Sequence, residues 1–180
     1  MSATPDVAIA GAGIVGAACA LELARQGLKV AVYDKGVVSG GASAAAMGHL
    51  CVMDDSEAQF HLTRYSLDLW NEISPSLPPA AAHVYYGTLW VAADEEEMAE
   101  ARRKCEFYPP RGIPAKVLDA QQLAEAEPNL RPGLAGGLLL PADSILYQPA
   151  AVRWMLDEAV KAGAEVHTGR AVASIKDDGL

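Results

Sequence analysis

Three glycines and one carboxylate near the start of the chain have types and spacing that suit nucleotide chemistry. Gly11, Gly13 and Gly16 follow an apolar run at GxGxxG spacing. In this motif the first glycine permits a tight turn, the second lets a pyrophosphate approach the main chain, and the third lets a helix pack closely on a sheet. Asp34 lies 18 positions after Gly16, close to the ~20 expected of a carboxylate that accepts a ribose hydroxyl group. The pattern predicts a dinucleotide site, with an ordinary glycine turn and a solvated acid as the alternative.

The elements that must position these residues are a strand, a helix and a second strand. The apolar run before Gly11 predicts a buried strand. A helix is predicted to begin near Ile14, so that its first free N–H groups face the phosphates, and to end at Gly27. Further on, a helix starting near Pro149 and strands at 165–168 and 171–175 return to this pattern. The predicted fold class is α/β, a Rossmann-like dinucleotide-binding domain with a parallel sheet and flanking helices.

The middle of the chain has a different character. A helix is predicted from about Glu57 to Ile73, and its core face by spacing is Leu62, Tyr65, Leu69 and Ile73. Residues 84–93 are rich in β-branched and aromatic side chains and predict a strand. The order of the following elements predicts an inserted α+β lobe, part of a substrate domain. The predicted domains are therefore 1–83 and 145–180 for nucleotide binding and 84–144 for the insert, with a hairpin turn at 177–180.

Composition excludes several functions for this 180-residue chain. Its formal net charge of −9 argues against a nucleic-acid partner or an anionic membrane surface. The three cysteines form no CxxC pair or disulfide framework, which favours a reducing compartment. The apolar start lacks a basic n-region and is too short to span a bilayer, so we expect a cytoplasmic protein without a transmembrane segment. The residues His49, Cys51, Asp54 and His61 fit no tetrahedral template, so no metal site is predicted.

Four stretches resemble the FAD-dependent oxidoreductases of the D-amino-acid oxidase/glycine oxidase family. The opening extends to GxGxxGxxxAxxLxxxG through Ala20, Leu23 and Gly27, and a Gly41-Ala42-Ser43 loop follows. The segment GGLLLPADSILYQPAAVRWMLDEAVKAGAEV and the following strand around Val172 are also similar to the family. Within the family, MGHLCVMDDSEAQF and GTLWVAADEEEM look most like the FAD subunit of D-hydroxyproline dehydrogenases.

The resemblance implies a role for each matching position, with FAD as the cofactor. Asp34 takes the adenosine ribose in place of the family's more usual Glu, and Lys35 flanks the adenosine. Cys51 falls where the substrate pocket begins, and a covalent flavin link through His49 or Cys51 is the less favoured alternative. The implied cofactor-binding set is Gly11, Gly13, Ile14, Val15 and Gly16 at the pyrophosphate, Asp34 and Lys35 at the ribose, Gly41, Ala42 and Ser43 along the phosphate and ribitol path, Met47, Gly48 and His49 at the isoalloxazine ring, and Val172 at the adenine.

The implied activity is oxidation of the C–N bond of an amino or imino acid by hydride transfer to flavin. The substrate would be a D-amino acid, glycine or D-hydroxyproline, with possible partner subunits of a heteromeric dehydrogenase. Family members are longer, and no arginine is positioned as a convincing clamp for a substrate carboxylate, so the chain is interpreted as an N-terminal portion that binds FAD weakly and is inactive alone. The alternatives are a non-catalytic dinucleotide-binding module or inactive subunit, and an enzyme that uses NAD. The glycine-rich loop after Asp34 favours FAD over NAD.

Overall fold

The computed structural model describes residues 4–54 and 56–176, which form two compact units. The first comprises residues 4–48, 76–82 and 146–176, and the second comprises 49–54, 56–75 and 83–145. None of the helices within these described ranges is long and apolar enough to cross a bilayer. The strands are β1 (Val7–Ala10), β2 (Val30–Tyr33), β3 (His49–Leu50), β4 (Thr88–Ala92), β5 (Lys116–Asp119), β6 (Gly136–Leu140), β7 (Ser144–Ile145) and β8 (Glu165–His167). The α-helices are α1 (Ile14–Arg25), α2 (Ala42–Ala45), α3 (Glu57–Ile73), α4 (Glu95–Phe107), α5 (Ala120–Ala126) and α6 (Gln148–Lys161), and single 3₁₀ turns lie at Ser74–Ser76, Pro79–Ala81 and Pro109–Arg111.

The first unit is built on a three-stranded parallel sheet in the order β1–β2–β8. Val7 pairs with Val30, and Val32 pairs with Val166. Parallel neighbours need a crossover connection, and α1 supplies the one between β1 and β2. The central strand β2 is buried along Val30, Ala31 and Val32, and helix α1 packs against it, as expected of a strand in a parallel sheet covered by helices. The predicted α/β, Rossmann-like class is confirmed.

Helices α1 and α6 pack against each other within the first unit. Their contact faces are rich in alanine, which lets the two backbones approach closely. Gly27 has a φ of +85° just beyond the end of α1, the left-handed conformation that glycine adopts most readily after a helix. The buried residues are Ala17, Ala20, Leu21 and Ala24 of α1 and Ala151, Val152, Met155, Leu156 and Ala159 of α6.

The second unit contains an antiparallel sheet in the order β4–β6–β5 and a short ladder between β3 and β7. Its core is a cluster of apolar side chains from the sheet, the helices and the loops. Phe107 contacts Phe60 edge to face, with ring centroids 5.4 Å apart, a favourable aromatic arrangement. The cluster comprises Val52, Phe60, Leu67, Ala101, Tyr108, Ile113, Leu138 and Leu140.

Helix α3 has the predicted limits but not the predicted core face. Ser56 caps it by accepting a hydrogen bond from the Gln59 N–H at 3.2 Å. The predicted core residues Leu62, Tyr65 and Leu69 are exposed, whereas Phe60 and Leu67 are buried. A spacing of three, four and seven residues fits more than one stripe of the same helix. Contact with the aromatic cluster around Phe107 selects the stripe that contains Phe60, and it places α3 in the second unit rather than with the predicted domain 1–83.

Two predicted strands differ from the structure: one is shorter than predicted and the other is absent from the described residues. The run 84–93 forms a strand only over Thr88–Ala92, with Val84 in an isolated bridge to Ile145. Gly87, whose φ is +77°, interrupts the extended conformation between them. Residues 171–175 form no strand, because no strand of the described residues pairs with them. The predicted hairpin at 177–180 lies outside the described residues.

Candidate dinucleotide-binding site

The glycine turn connects the end of β1 to the start of α1. Gly11 has a φ of +111° and donates its N–H to the Tyr33 carbonyl oxygen at 2.7 Å. A Cβ atom on Gly16 would overlap the carbonyl oxygen of Gly11 and would lie 3.3 Å from Cγ2 of Ile9. The third glycine of the motif therefore permits the close approach of the helix to the turn.

The N-terminus of α1 presents main-chain donors to this turn. Gly13 is its N-cap residue and supplies no side-chain cap. The N–H of Ile14 is donated to Ser43 Oγ at 2.9 Å, whereas the N–H groups of Val15 and Gly16 have no hydrogen-bond partner among residues 4–54 and 56–176. The positive end of a helix dipole together with free N–H groups favours an anion.

Asp34 is fixed beside the turn by two main-chain donors. Its Oδ2 accepts a hydrogen bond from the Ala12 N–H at 2.8 Å, and its Oδ1 accepts one from the Gly36 N–H at 2.7 Å. These two bonds, that from Ala12 first, lower the pKa of Asp34 below its usual value. The carboxylate is therefore ionised at neutral pH, and it keeps acceptor capacity on both oxygens for a ligand hydroxyl group.

A cleft of about 550 Å³ lies between the glycine turn and the loop after β2. The loop after β8 reaches it because Arg170 N–H is donated to the Asp34 carbonyl oxygen at 2.8 Å and Gly169 N–H to that of Gly36 at 3.0 Å. Main-chain edges, one carboxylate and small side chains line the cleft, and they suit the adenosine and phosphate portion of a dinucleotide. The lining residues are Ala10, Gly11, Tyr33, Asp34, Lys35, Gly36, Val37, Gly40, Gly41, Ala171 and Val172.

Four other predicted cofactor-binding residues of the first unit are Ala42, Ser43, Met47 and Gly48. Ala42 and Ser43 belong to α2, and Ser43 Oγ would lie 3.1 Å from a Cβ atom on Gly13. Met47 is 83% exposed. Gly48 has a φ of +75°, and a Cβ atom there would overlap the Leu146 carbonyl oxygen, so the chain requires glycine at this position.

His49 and Cys51 belong to the second unit. His49 Nε2 lies 2.6 Å from Thr88 Oγ1 and 3.7 Å from Asp143 Oδ2. Burial, followed by the nearby Asp143 carboxylate, raises the pKa of the Cys51 thiol, which disfavours the reactive thiolate. Sequence reasoning missed Thr88 and Asp143, because their separation from His49 along the chain leaves no local signal. No group of three or more potential metal ligands occurs in the described part of the chain.

A parallel strand–helix–strand unit, a glycine turn at a helix N-terminus and a carboxylate after the second strand define a dinucleotide-binding domain. The family model described as FAD dependent oxidoreductase matches residues 6–180. The chain belongs to this FAD-dependent oxidoreductase family, whose cofactor is FAD.

Several relatives and solved structures are similar to the chain. A glycine oxidase of Geobacillus kaustophilus (strain HTA426) is 31% identical over an alignment of 186 positions, which covers 96% of this chain and 48% of that protein. The crystal structure of glycine oxidase from Geobacillus kaustophilus has a TM-score of 0.90 at 31% identity, covering 97% of this chain and 49% of its own. The crystal structure of glycine oxidase from Bacillus cereus ATCC 14579 has a TM-score of 0.89 at 26% identity, covering 98% of this chain and 49% of its own. The L-proline dehydrogenase of P. horikoshii shares the fold, with a TM-score of 0.82 at 23% identity over 94% of this chain and 45% of its own. The chain thus spans about half the length of these proteins.

Proposed function

We propose that the first unit binds the adenosine diphosphate portion of FAD in the cleft beside Asp34. The observation that carries this proposal is the Asp34 carboxylate, held by the N–H groups of Ala12 and Gly36 next to the N-terminus of α1. The free N–H groups of Val15 and Gly16 would meet the pyrophosphate, and Asp34 would accept a ribose hydroxyl group. The N–H of Ile14 already has Ser43 as its partner, so Ile14 would act through its position at the start of the helix.

The resemblance extends the proposal to the other positions of the motif. Lys35 would flank the adenosine and Val172 the adenine, and both line the same cleft as Asp34. The positions Gly41, Ala42 and Ser43 would follow the phosphate and ribitol path, Met47, Gly48 and His49 would approach the isoalloxazine ring, and Cys51 would border the substrate. For Met47 to Cys51 the support is the resemblance alone.

The activity proposed for the whole protein is oxidation of the C–N bond of an amino or imino acid. The substrate would lose two electrons and two hydrogens and become an imine. When bound, FAD supplies the electron acceptor for this step. The 31% identity to the glycine oxidase of Geobacillus kaustophilus supports an amino-acid substrate. The finer assignment to the FAD subunit of a D-hydroxyproline dehydrogenase, with partner subunits, rests on the local sequence resemblance.

Flavin retention tests the proposal on the chain itself. Purified chain is mixed with FAD or FMN, passed through gel filtration and examined for flavin absorbance. FAD is expected to remain, weakly bound, and FMN, which lacks the adenosine monophosphate portion of FAD, to be lost. Equal retention of the two flavins would exclude the proposed adenosine site.

Substrate oxidation is tested separately by dye reduction with glycine, proline and D-hydroxyproline. We expect the 180-residue chain to reduce no dye by itself, because the candidate clamp residues Arg64, Arg102, Arg103 and Arg111 each pair with a carboxylate of the chain. A protein that contains this chain and spans the full length of its relatives should reduce the dye with at least one of these substrates. Retention of FAD without turnover in that longer chain would favour a non-catalytic binding module.

A further inference from the structure

Strand register brings three distant polar residues together in the second unit. Thr88 pairs with Leu140 at the end of β6, and His49 pairs with Ile145 in β7. Asp143 lies in the short turn that connects β6 to β7, between these two pairs. The Gly87 N–H is donated to the Asp143 carbonyl oxygen at 3.0 Å and fixes the turn against the start of β4.

The three side chains meet around one nitrogen atom. His49 Nε2 lies 2.6 Å from Thr88 Oγ1, a short hydrogen bond, and 3.7 Å from Asp143 Oδ2, an electrostatic contact. Asp143 is 2% exposed, and its Oδ2 has no hydrogen-bond partner among the described residues. A buried carboxyl oxygen without a donor is costly unless a nearby positive charge or polarised N–H compensates it. The ring nitrogen Nε2 of His49 lies 3.7 Å from this oxygen and can carry such an N–H.

We propose that Asp143 is a positioning residue that keeps the proton of the neutral His49 ring on Nε2. A hydrogen on Nε2 places positive charge on the nitrogen that lies 3.7 Å from the carboxyl oxygen, whereas a lone pair on Nε2 would be repelled by the oxygen lone pairs. Thr88 does not decide between the two tautomers, because a hydroxyl group both donates and accepts. Burial raises the pKa of Asp143, while the contacts with Thr88 and His49 act in the opposite direction.

The consequence is a hydrogen-bond acceptor at Nδ1 of His49. This nitrogen has no partner among residues 4–54 and 56–176, and the His49 side chain is 28% exposed. An Nδ1 lone pair fits an N–H donor, and under the function proposed above the donor is the amine of the amino or imino acid. Asp143 thereby acts on the ligand through His49 and does not touch it.

The tautomer of His49 is measured by long-range ¹H–¹⁵N NMR of the ¹⁵N-labelled chain at a pH where the ring is neutral. The predicted spectrum shows a protonated Nε2 and an unprotonated Nδ1. In Asp143→Ala the Nδ1–H tautomer should become populated. In Thr88→Val the Nε2–H tautomer should persist, which tests the role of Asp143 even if Asp143→Ala does not fold. A dominant Nδ1–H tautomer in the unmodified chain, or its appearance in Thr88→Val, would overturn the proposal.

A neighbouring histidine supplies the matched control. His83 Nε2 lies 2.9 Å from Ser144 Oγ, so Ser144→Ala should change the signals of His83 and leave the tautomer of His49 unaltered. A change at His49 would mean that its tautomer follows the general packing of the turn rather than Asp143.

The ligand is tested by adding glycine or proline to the same sample. The His49 Nδ1 signal should shift in the unmodified chain, and this shift should weaken in Asp143→Ala. If the Nε2–H tautomer is found but the Nδ1 signal does not shift when glycine or proline is added, the amine is not the ligand of Nδ1. FAD retention is measured independently, so a failure of this proposal is distinguishable from a failure of the nucleotide site.

Discussion

Replacing Gly16 by alanine should disrupt the glycine turn and the nucleotide site together. The added Cβ atom would overlap the carbonyl oxygen of Gly11 and would lie 3.3 Å from Cγ2 of Ile9. The obstruction is main chain on one side, so no change of rotamer can relieve it. Either α1 moves away from β1 or the turn at Gly11 opens.

The magnitude follows from two opposing effects. Overpacking in a close-packed site costs about 1–3 kcal/mol, and a main-chain obstruction favours the upper end. Alanine stabilises a helix interior by about 1 kcal/mol relative to glycine, and Gly16 lies within α1. The free energy of unfolding should therefore fall by about 2 kcal/mol. A displaced turn should also weaken FAD binding by about tenfold or more, which corresponds to about 1.4 kcal/mol.

Urea unfolding and titration of FAD fluorescence measure the two effects on the same protein. Ala18→Gly is the matched control, because Ala18 is exposed on the same helix. It should lose about 1 kcal/mol of stability through helix propensity alone and retain the affinity for FAD. A Gly16→Ala protein with unchanged stability and unchanged FAD affinity would refute the close approach of α1 to the turn.

Three further predictions concern hydrogen-bonded side chains. Asp34→Ala should reduce the free energy of unfolding by about 1.5–3 kcal/mol at neutral pH, since charged hydrogen bonds are lost. Because the pKa of Asp34 is lowered in the folded state, this difference should vanish as the pH falls through that pKa, below about 4. Urea unfolding at several pH values measures the difference. Ser43→Ala should remove the hydrogen bond that the Ile14 N–H donates to Ser43 Oγ at 2.9 Å. The free energy of unfolding should fall by about 1 kcal/mol, and amide hydrogen exchange at Ile14 should become faster. Lys104→Met should lower the melting temperature and cost about 1–3 kcal/mol, because it removes the ammonium group 2.5 Å from Asp54, whose side chain is only 6% exposed.

Each of these predictions has its own control and its own contradictory result. A stability difference for Asp34→Ala that persists unchanged at low pH would contradict the ionised, hydrogen-bonded carboxylate. Ser56→Ala removes an equivalent hydrogen bond at α3 and should leave exchange at Ile14 unaffected. The double variant Lys104→Met with Asp54→Leu should recover stability relative to Lys104→Met, because it also removes the buried carboxylate that would otherwise keep only Arg103, 3.3 Å away, as its cationic partner. Failure to recover would assign the loss to packing of the lysine stem.

Local pattern was sufficient to predict the elements around the proposed nucleotide site. The turn, α1, β2 and the position of Asp34 all follow from glycine spacing and short apolar runs. Helix α3 was also predictable in its limits, because Ser56 and the prolines after Ile73 are local signals. Its buried stripe was not predictable, since Phe107, which selects it, lies in another helix.

Long-range pairing explains what the sequence did not reveal. The two-residue strands β3 and β7 have no periodicity of their own and exist only because they pair with each other. The contacts of His49 with Thr88 and Asp143 depend on that pairing, so neither partner could be named from local spacing. The run 171–175 has the composition of a strand, but within the described residues it has no neighbour to complete a ladder.

The proposed site beside Asp34 would hold the adenosine diphosphate portion of FAD. Its most direct test is titration of the ¹⁵N-labelled chain with ADP, followed through the main-chain amide signals. We expect the signals of Gly11–Gly16 and of Asp34–Gly36 to shift with ADP, and Asp34→Ala to weaken this response at least about tenfold. Shifts confined to other residues, or a response to FMN and none to ADP, would contradict it.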